Sequence, residues 1–534
     1  MKKSILSMSV AVALGGLGFA GAASAIVVYD NTGATGTQLA QHPAGTGHIM
    51  VVPYYSAQGS NATLITIVNT DVTNGKAVKV RFRGATNSDD VLDFTLLMSP
   101  GDVWSGQVAK GPNGFAQLSH SSDETTCTLP DVTAWPANFS ALRLPTSVSG
   151  DNLASLTREG YVEILNMADI RPDSASNSVF TAIKHVNGKA PCTSAVLSQL
   201  LTTEVLSAAS AGQTPYDLVL PTGGLMGSWA VLNQAQTVAF SGADTAMIVT
   251  DANGVGTNGT AATQTAAIAF FPQVSATYGT VPTGSAAAPG IALVTADPLL
   301  VGGLDNSPGG PAITAPVIPL WYDLPDLSTP ILQPVTTPQV HADALTMTMV
   351  KTNVQNEWMA VNGAVPYMTD WVVSQPTRRY HVAMNYGLSH RIFSDGSTFT
   401  GYNNASLTTG SAYGPLVCMT FGLGAFNREE GSNAMGASFS PGANTDTCGE
   451  VFTLQFGGNS VLAAAVTANP VGNIVAPLGG AGWAQLNAVT GQTNPLNGAT
   501  LGLPMLGFSA TQYTNQLTGM NYSYTFPHRW IATP

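Results

Sequence analysis

Charge is what this chain has least of. Only 9% of its 534 residues are Asp, Glu, Lys or Arg, where an ordinary soluble domain carries about 25%. Its 18 Lys and Arg against 30 Asp and Glu leave a formal charge of −12. No Lys or Arg lies between Lys189 and Lys351, and none between Arg428 and Arg529. No basic footprint exists to neutralise phosphates, which argues against a nucleic-acid binder, and no polybasic patch exists for anionic lipid. Wet faces in the two cation-free stretches must rely on Ser, Thr, Asn, Gln and backbone amides. Such surfaces lack the charge that holds copies apart, so self-association and a simply neutral secreted surface are both open readings.

Catalytic signatures are missing too. There is no Gly-x-Ser-x-Gly elbow, no His-Glu-x-x-His and no phosphate-cradling Gly-x-x-x-x-Gly-Lys. The Gly-rich stretches fall between β-type runs, without the strand–loop–helix setting of a dinucleotide site. The expectation is therefore a protein that is not an enzyme and has no bound cofactor, although a carboxylate pair leaves no local signature. Beyond the N-terminus, no segment holds the roughly 18 uninterrupted apolar residues of a spanning helix.

What is present starts with an address. Lys2 and Lys3, an apolar stretch over 5–20 and the small residues Ala23, Ser24 and Ala25 make residues 1–25 read as a secretory signal peptide. Four cysteines, Cys127, Cys192, Cys418 and Cys448, fit two disulfides in an exported chain, with three pairings open. Sequence proximity favours Cys127–Cys192 and Cys418–Cys448, each closing a loop worth about 4 kcal/mol in the chain-entropy model.

With 44% apolar residues a core is affordable, and the patterning is mostly β. Residues 48–54, 62–68, 77–83 and 91–97 are short runs rich in β-branched and aromatic side chains, separated by turn compositions. Lys79, Arg81 and Arg83 alternate with Val80 and Phe82, which predicts a strand with one wet face. Turn signals about every dozen residues point to an immunoglobulin-like antiparallel β-sandwich. The predicted class is all-β with minor α: a sandwich over 26–145, then a larger β-rich region. That region divides into 146–277, with one helix near 192–211, a Gly/Pro/Ala/Thr-rich irregular segment over 278–340, and a β-rich C-terminal region over 341–534.

Candidate sites are few. Asp89, Asp90 and Asp93 cluster at the start of a predicted strand and could supply oxygen ligands to Ca²⁺, though the full spacing of a calcium loop is missing and turn-edge solvation is the simpler reading. The Gly-rich turn that opens at Asp251 is weighed the same way. The pairs His42 with His48 and His381 with His390 have no second kind of metal ligand nearby and read as structural. Arg378, Arg379, Tyr380 and His381 form a compact basic segment that could hold a carboxylate or sugar phosphate, and reads more simply as outward strand positions. Trp104, Trp135, Trp321, Trp358, Trp371 and Trp483 include candidates for a carbohydrate-stacking platform, with core packing the expected role for most. Tyr522, Tyr524 and Phe526 alternate as lipid-facing barrel residues would, yet the ending Ile531-Ala-Thr-Pro534 makes a poor membrane strand.

Several strings also resemble a known group: His-Ile-Met-Val-Val-Pro-Tyr-Tyr at 48–55, the run over 78–94, Ser-Pro-Gly-Asp-Val-Trp at 99–104, Glu-Gly-Tyr-Val-Glu at 159–163 and Thr-Asp-Trp-Val-Val at 369–373. They resemble uncharacterised Gram-negative cell-surface proteins, some described as surface-layer-like. The resemblance implies export to the extracellular cell surface and supplies no catalytic residues. The function expected first is a non-catalytic, self-associating structural protein of that surface, with Ca²⁺ bridging as one route. The alternative is a secreted binding module or adhesin for glycans, such as cell-envelope polysaccharide, or for another extracellular polymer.

Overall fold

A computed structural model describes residues 36–131, 135–201, 215–251, 265–271, 325–332, 338–385, 411–432, 444–488 and 503–530, apart from 142, 143, 146, 176, 364, 383 and 415, together with 203 and the short strands Val205–Ser207, His390–Arg391 and Leu407–Thr408. The expected signal peptide, the stretch 278–324, Trp321 and the residues following Asp251 in its turn lie outside the described residues.

Two stacked antiparallel sheets form the N-terminal unit. Its principal strands are β1 (Ile49–Ser56), β2 (Asn61–Asn69), β3 (Gly75–Gly84), β4 (Asp90–Met98) and β5 (Val103–Lys110). The chain then adds β6 (Glu159–Ile170), β7 (Leu225–Asn233), β8 (Val238–Ala243) and β9 (Thr245–Thr250). One sheet runs Gln38–Gln41, β9, β1, β6, β3, β4, Cys127–Leu129; the other runs Ala137–Asn138, Ala116–Ser119, β5, β2, β7, β8. Burial alternates along β2 and β7, as period-2 side chains on a half-covered sheet must. The fold is thus β-rich and sandwich-like, as the patterning predicted. Residue 145 does not end it, because β6 sits between β1 and β3 in the middle of the first sheet and β7 beside β2 in the second.

The C-terminal unit is built from β10 (Asn353–Val361), β11 (Tyr367–Ser374), β12 (Leu416–Asn427), β13 (Val451–Gln455), β14 (Ala481–Ala488), β15 (Leu506–Asn515) and β16 (Met520–Pro527). β10 and β11 pair only at Ala360↔Met368 and Val361↔Tyr367. From that corner β10 turns away with β14 and β12 to make an outer layer, while β11 stays with β13, β15 and β16 in an inner one. Trp358, Trp371, Phe421, Phe452 and Phe456 fill the space between the layers. The far face of the inner layer packs on the N-terminal unit, where Phe508 meets Tyr54 and Trp229, with ring centroids 6.5 and 4.5 Å away.

The disulfides Cys127–Cys192 and Cys418–Cys448 form as expected. Among the described residues of 192–211, helix spans Ser194–Leu200. The apolar residues beyond it are drawn into a strand, Val205 pairing with Phe270 and Leu206 with Ala269, so tertiary pairing overrides helical spacing there. At the C-terminal end of the predicted irregular segment, Asp326, Leu327 and Ile331 are buried and a helix spans Pro338–Met349.

Candidate functional site

The acidic candidates lead to a seam between the two units. β3 is buried along its whole length, which corrects the wet face predicted for Lys79, Arg81 and Arg83. Lys79 pairs with Asp93, and Arg81 with Asp90 and, at 3.6 Å, with Asp93. Arg83 reaches Glu163 of β6 at 3.3 Å and Asp326 at 3.7 Å. Arg379 lies on the other side of the same carboxylates, 2.6 Å from Asp326 and 3.7 Å from Glu163. The basic segment is therefore not an outward strand: it is a short helix, Arg378–Val382, with both guanidiniums buried. The Ca²⁺ assignment to Asp89, Asp90 and Asp93 is corrected in the same way. Asp90 and Asp93 face cations on the neighbouring strand, Asp89 is buried, and among the described residues no group of three His, Cys, Asp or Glu is placed to hold a metal.

Ion pairs this dry cost several kcal/mol per ion in desolvation, offset only where charges match and hydrogen bonds are complete. The seam matches two cations to two carboxylates. The Tyr161 hydroxyl, with one proton to give, lies 3.2 Å from Glu163 Oε1 and 3.0 Å from the Pro376 carbonyl, while Glu163 Oε2 and Arg379 Nε meet no hydrogen-bond partner among the described residues. Burial nevertheless raises Glu450, beside Arg378 and Arg379, to about 7. Among the described residues the cluster is buried, and it joins β3 and β6 to the helix Arg378–Val382.

The outward-facing chemistry lies on the opposite side of the C-terminal unit. On β16, Tyr522, Tyr524 and Phe526 share one face, and the two-residue repeat spaces neighbours by about 7 Å. Tyr522 stacks on Tyr513 of β15 (4.9 Å, 12°), and Tyr513 on Tyr367 of β11 (5.3 Å, 24°). Phe526 and Tyr522 are 44% and 43% exposed, far from the burial usual for such rings. The row ends at a groove of about 620 Å³ that crosses β10, lined by Gln355, Asn356, Glu357, Met359, Asn427, Arg428, Ala481, Gly482, Trp483, Phe526 and Arg529. Trp483, also 44% exposed, is opposite Glu357 on β14 and is held flat by Phe426, centroids 4.3 Å apart at 10°. On the other flank of β10, Gln355 exchanges backbone hydrogen bonds with Arg529, and Asn356 Nδ2 donates to the Phe526 carbonyl. Two exposed aromatic rings thus stand either side of a strip of amide and charged side chains. A second hollow of about 620 Å³ adjoins Tyr367 and is lined largely by Gly and small apolar residues.

Partial burial and hydrogen bonding to Glu357 raise the Tyr524 phenol to about 12. Glu357 is the single carboxylate lining the groove, whereas glycoside hydrolysis ordinarily needs a facing pair. The arrangement can hold a ring between stacking surfaces and hydrogen-bond its hydroxyls.

The other candidates resolve as packing. Trp104, Trp358 and Trp371 are fully buried, and Trp135 packs against the sandwich core. His48 is buried, accepts from the Val249 N–H and lies 3.2 Å from the Pro221 carbonyl, and burial lowers it to about 3. His42 contacts the Thr46 carbonyl. The side chains of His381 and His390 lie outside the described residues. Of the groove, sequence reasoning had singled out Trp483 and Phe526 separately. Arg428 and Arg529 were visible as the ends of a cation-free stretch, without any sign that they meet. No protein-family model, curated protein or solved structure matches the chain.

Proposed function

We propose that this is an exported, non-catalytic cell-surface binding protein whose outer C-terminal face holds a glycan chain. The observation that carries the reading is the row of partly exposed aromatic rings leading into the groove between Phe526 and Trp483. Soluble proteins leave such surface uncovered where it meets a partner. Flat rings suit the CH-rich face of a pyranose, while Gln355, Asn356, Asn427 and Glu357 offer donors and acceptors for hydroxyls. Two disulfides and the N-terminal Lys–apolar–Ala-Ser-Ala pattern support placement outside the cytoplasm. In affinity electrophoresis against a panel of neutral and acidic polysaccharides, at least one polymer should retard the protein. Trp483→Ala with Phe526→Ala should weaken that retardation at least tenfold with unchanged melting temperature. Retardation by no polymer, or equal retardation of the double variant, refutes the reading.

A second reading, self-association, is favoured by the tip of the β15–β16 hairpin, where Leu517 is 93% and Met520 57% exposed. It requires light scattering that grows with protein concentration and disappears in Leu517→Asp with Met520→Lys. A monomer at all concentrations removes it and leaves the glycan reading untouched.

A further inference from the structure

We infer that the groove takes an anionic polysaccharide, with Arg428 and Arg529 reading its carboxylates; this deepens the glycan reading and rests on it. At least seven of the 18 Lys and Arg are buried: Lys76, Lys79, Arg81, Arg83, Arg158, Arg378 and Arg379. Exposed cations are therefore scarce on a chain of net charge −12, and their placement is informative. Arg428 and Arg529 bound a stretch with no Lys or Arg, yet the pairing of β14 with β12 and β10 brings both to one groove. Both are exposed, and among the described residues neither is in an ion pair.

The lining holds one acid, Glu357, against two Arg, so the groove carries a net positive charge on an acidic molecule. Glu429 and Glu430, next to Arg428, are exposed but not among the lining residues. A guanidinium presents a fork of donors that matches a carboxylate. Stacking between Trp483 and Phe526 places the sugar ring, and the two Arg select rings that carry an acid group. The occupant is thus a polymer of acidic pyranoses, in preference to a neutral glycan or a second copy of this acidic chain, whose like charge opposes approach.

The test compares polygalacturonate with its carboxyl-reduced, neutral form, by isothermal titration calorimetry on the full chain at low and moderate salt. The acid form should bind at least tenfold more tightly, and the preference should shrink as salt rises. Arg428→Gln with Arg529→Gln should abolish the preference without lowering the melting temperature, while the exposed control Lys110→Gln should leave it intact. Equal binding of the two polymers, with loss in Trp483→Ala, overturns this inference and keeps the glycan reading. Loss of the preference in Lys110→Gln to the same degree means diffuse charge attraction and also overturns it. Binding of neither polymer overturns the inference outright, and the wider panel then decides the glycan reading separately.

Discussion

β3 and β16 share a two-residue rhythm and end in opposite surroundings. Along β3 the alternating residues are Lys79, Arg81 and Arg83, and they are buried. Along β16 they are Tyr522, Tyr524 and Phe526, and they are half in water. The difference comes from layering. β3 lies in a sheet whose polar face is covered by the segment carrying Asp326 and by the helix Arg378–Val382, whereas β16 ends a sheet whose aromatic face, among the described residues, leads only to the groove. Alternation fixes which side chains share a face; what lands on that face is decided by distant chain. In this molecule cations hold two units together and aromatic rings look outward.

The comparison breaks most sharply at the seam. Arg379→Met strands Glu163 and Asp326 with fewer partners, and it should cost about 3–5 kcal/mol in chemical denaturation. A loss under about 1 kcal/mol would assign the pairs the weight of surface bridges. Opening Cys418–Cys448, which joins directly opposed positions at the edge of the outer layer, with paired Ser substitutions should cost about 2–4 kcal/mol in the same assay. Tyr522→Ala or Phe526→Ala should cost less than about 1 kcal/mol, while Trp371→Ala, buried between the layers, should cost about 3–5 kcal/mol. Similar losses for Phe526 and Trp371 would mean the outer rings are core after all.

The comparison extends to pH dependence. Burial raises Asp244 to about 8 and Asp370 to about 7, beside Glu450 at about 7; it lowers His48 to about 3 and His341 and His528 to about 4. An acid whose folded pKa is raised stabilises fully below its unfolded value and loses that contribution as pH climbs through the folded one. A His whose folded pKa is lowered stabilises above about 6.5 and loses that contribution as pH falls toward its folded value. Between about pH 4.5 and 6.5 the two sets oppose each other, and above 6.5 only the acids titrate, so stability declines toward about pH 8. Among the described residues the carboxylate oxygens of Asp244 meet no hydrogen-bond donor. Asp244→Asn should therefore gain over the native chain progressively from about pH 4, levelling off above about pH 8, in thermal melts. A gain independent of pH would show that Asp244 does not titrate in this range.

How far the sequence foretold this molecule depends on range. Strands with local alternation, such as 62–68, were legible because one turn and one apolar face define them. The disulfides were legible from proximity along the chain. The fate of Arg83 was not, because its partners Glu163 and Asp326 come from separate regions and nothing local announces them. The groove was half legible. Tyr522, Tyr524 and Phe526 declared a shared face, but their alternation matched a lipid-facing strand equally well. Only the β10–β14 pairing, which sets Trp483 opposite Glu357, turns those rings into one wall of a site.

The other face of β16 carries a further consequence. Ser523 Oγ donates to the Ala239 carbonyl and accepts from the Ala239 N–H, Thr525 Oγ1 accepts from the Ser241 N–H, and Asn521 Nδ2 donates to the Gln236 carbonyl. The rim of β8 is thereby quenched by hydroxyls and an amide instead of by another backbone. Clipping the chain before Met520 would uncover that rim and the flank of β15 at once, giving each copy two templates for strand addition and turning a closed molecule into a seed for fibres.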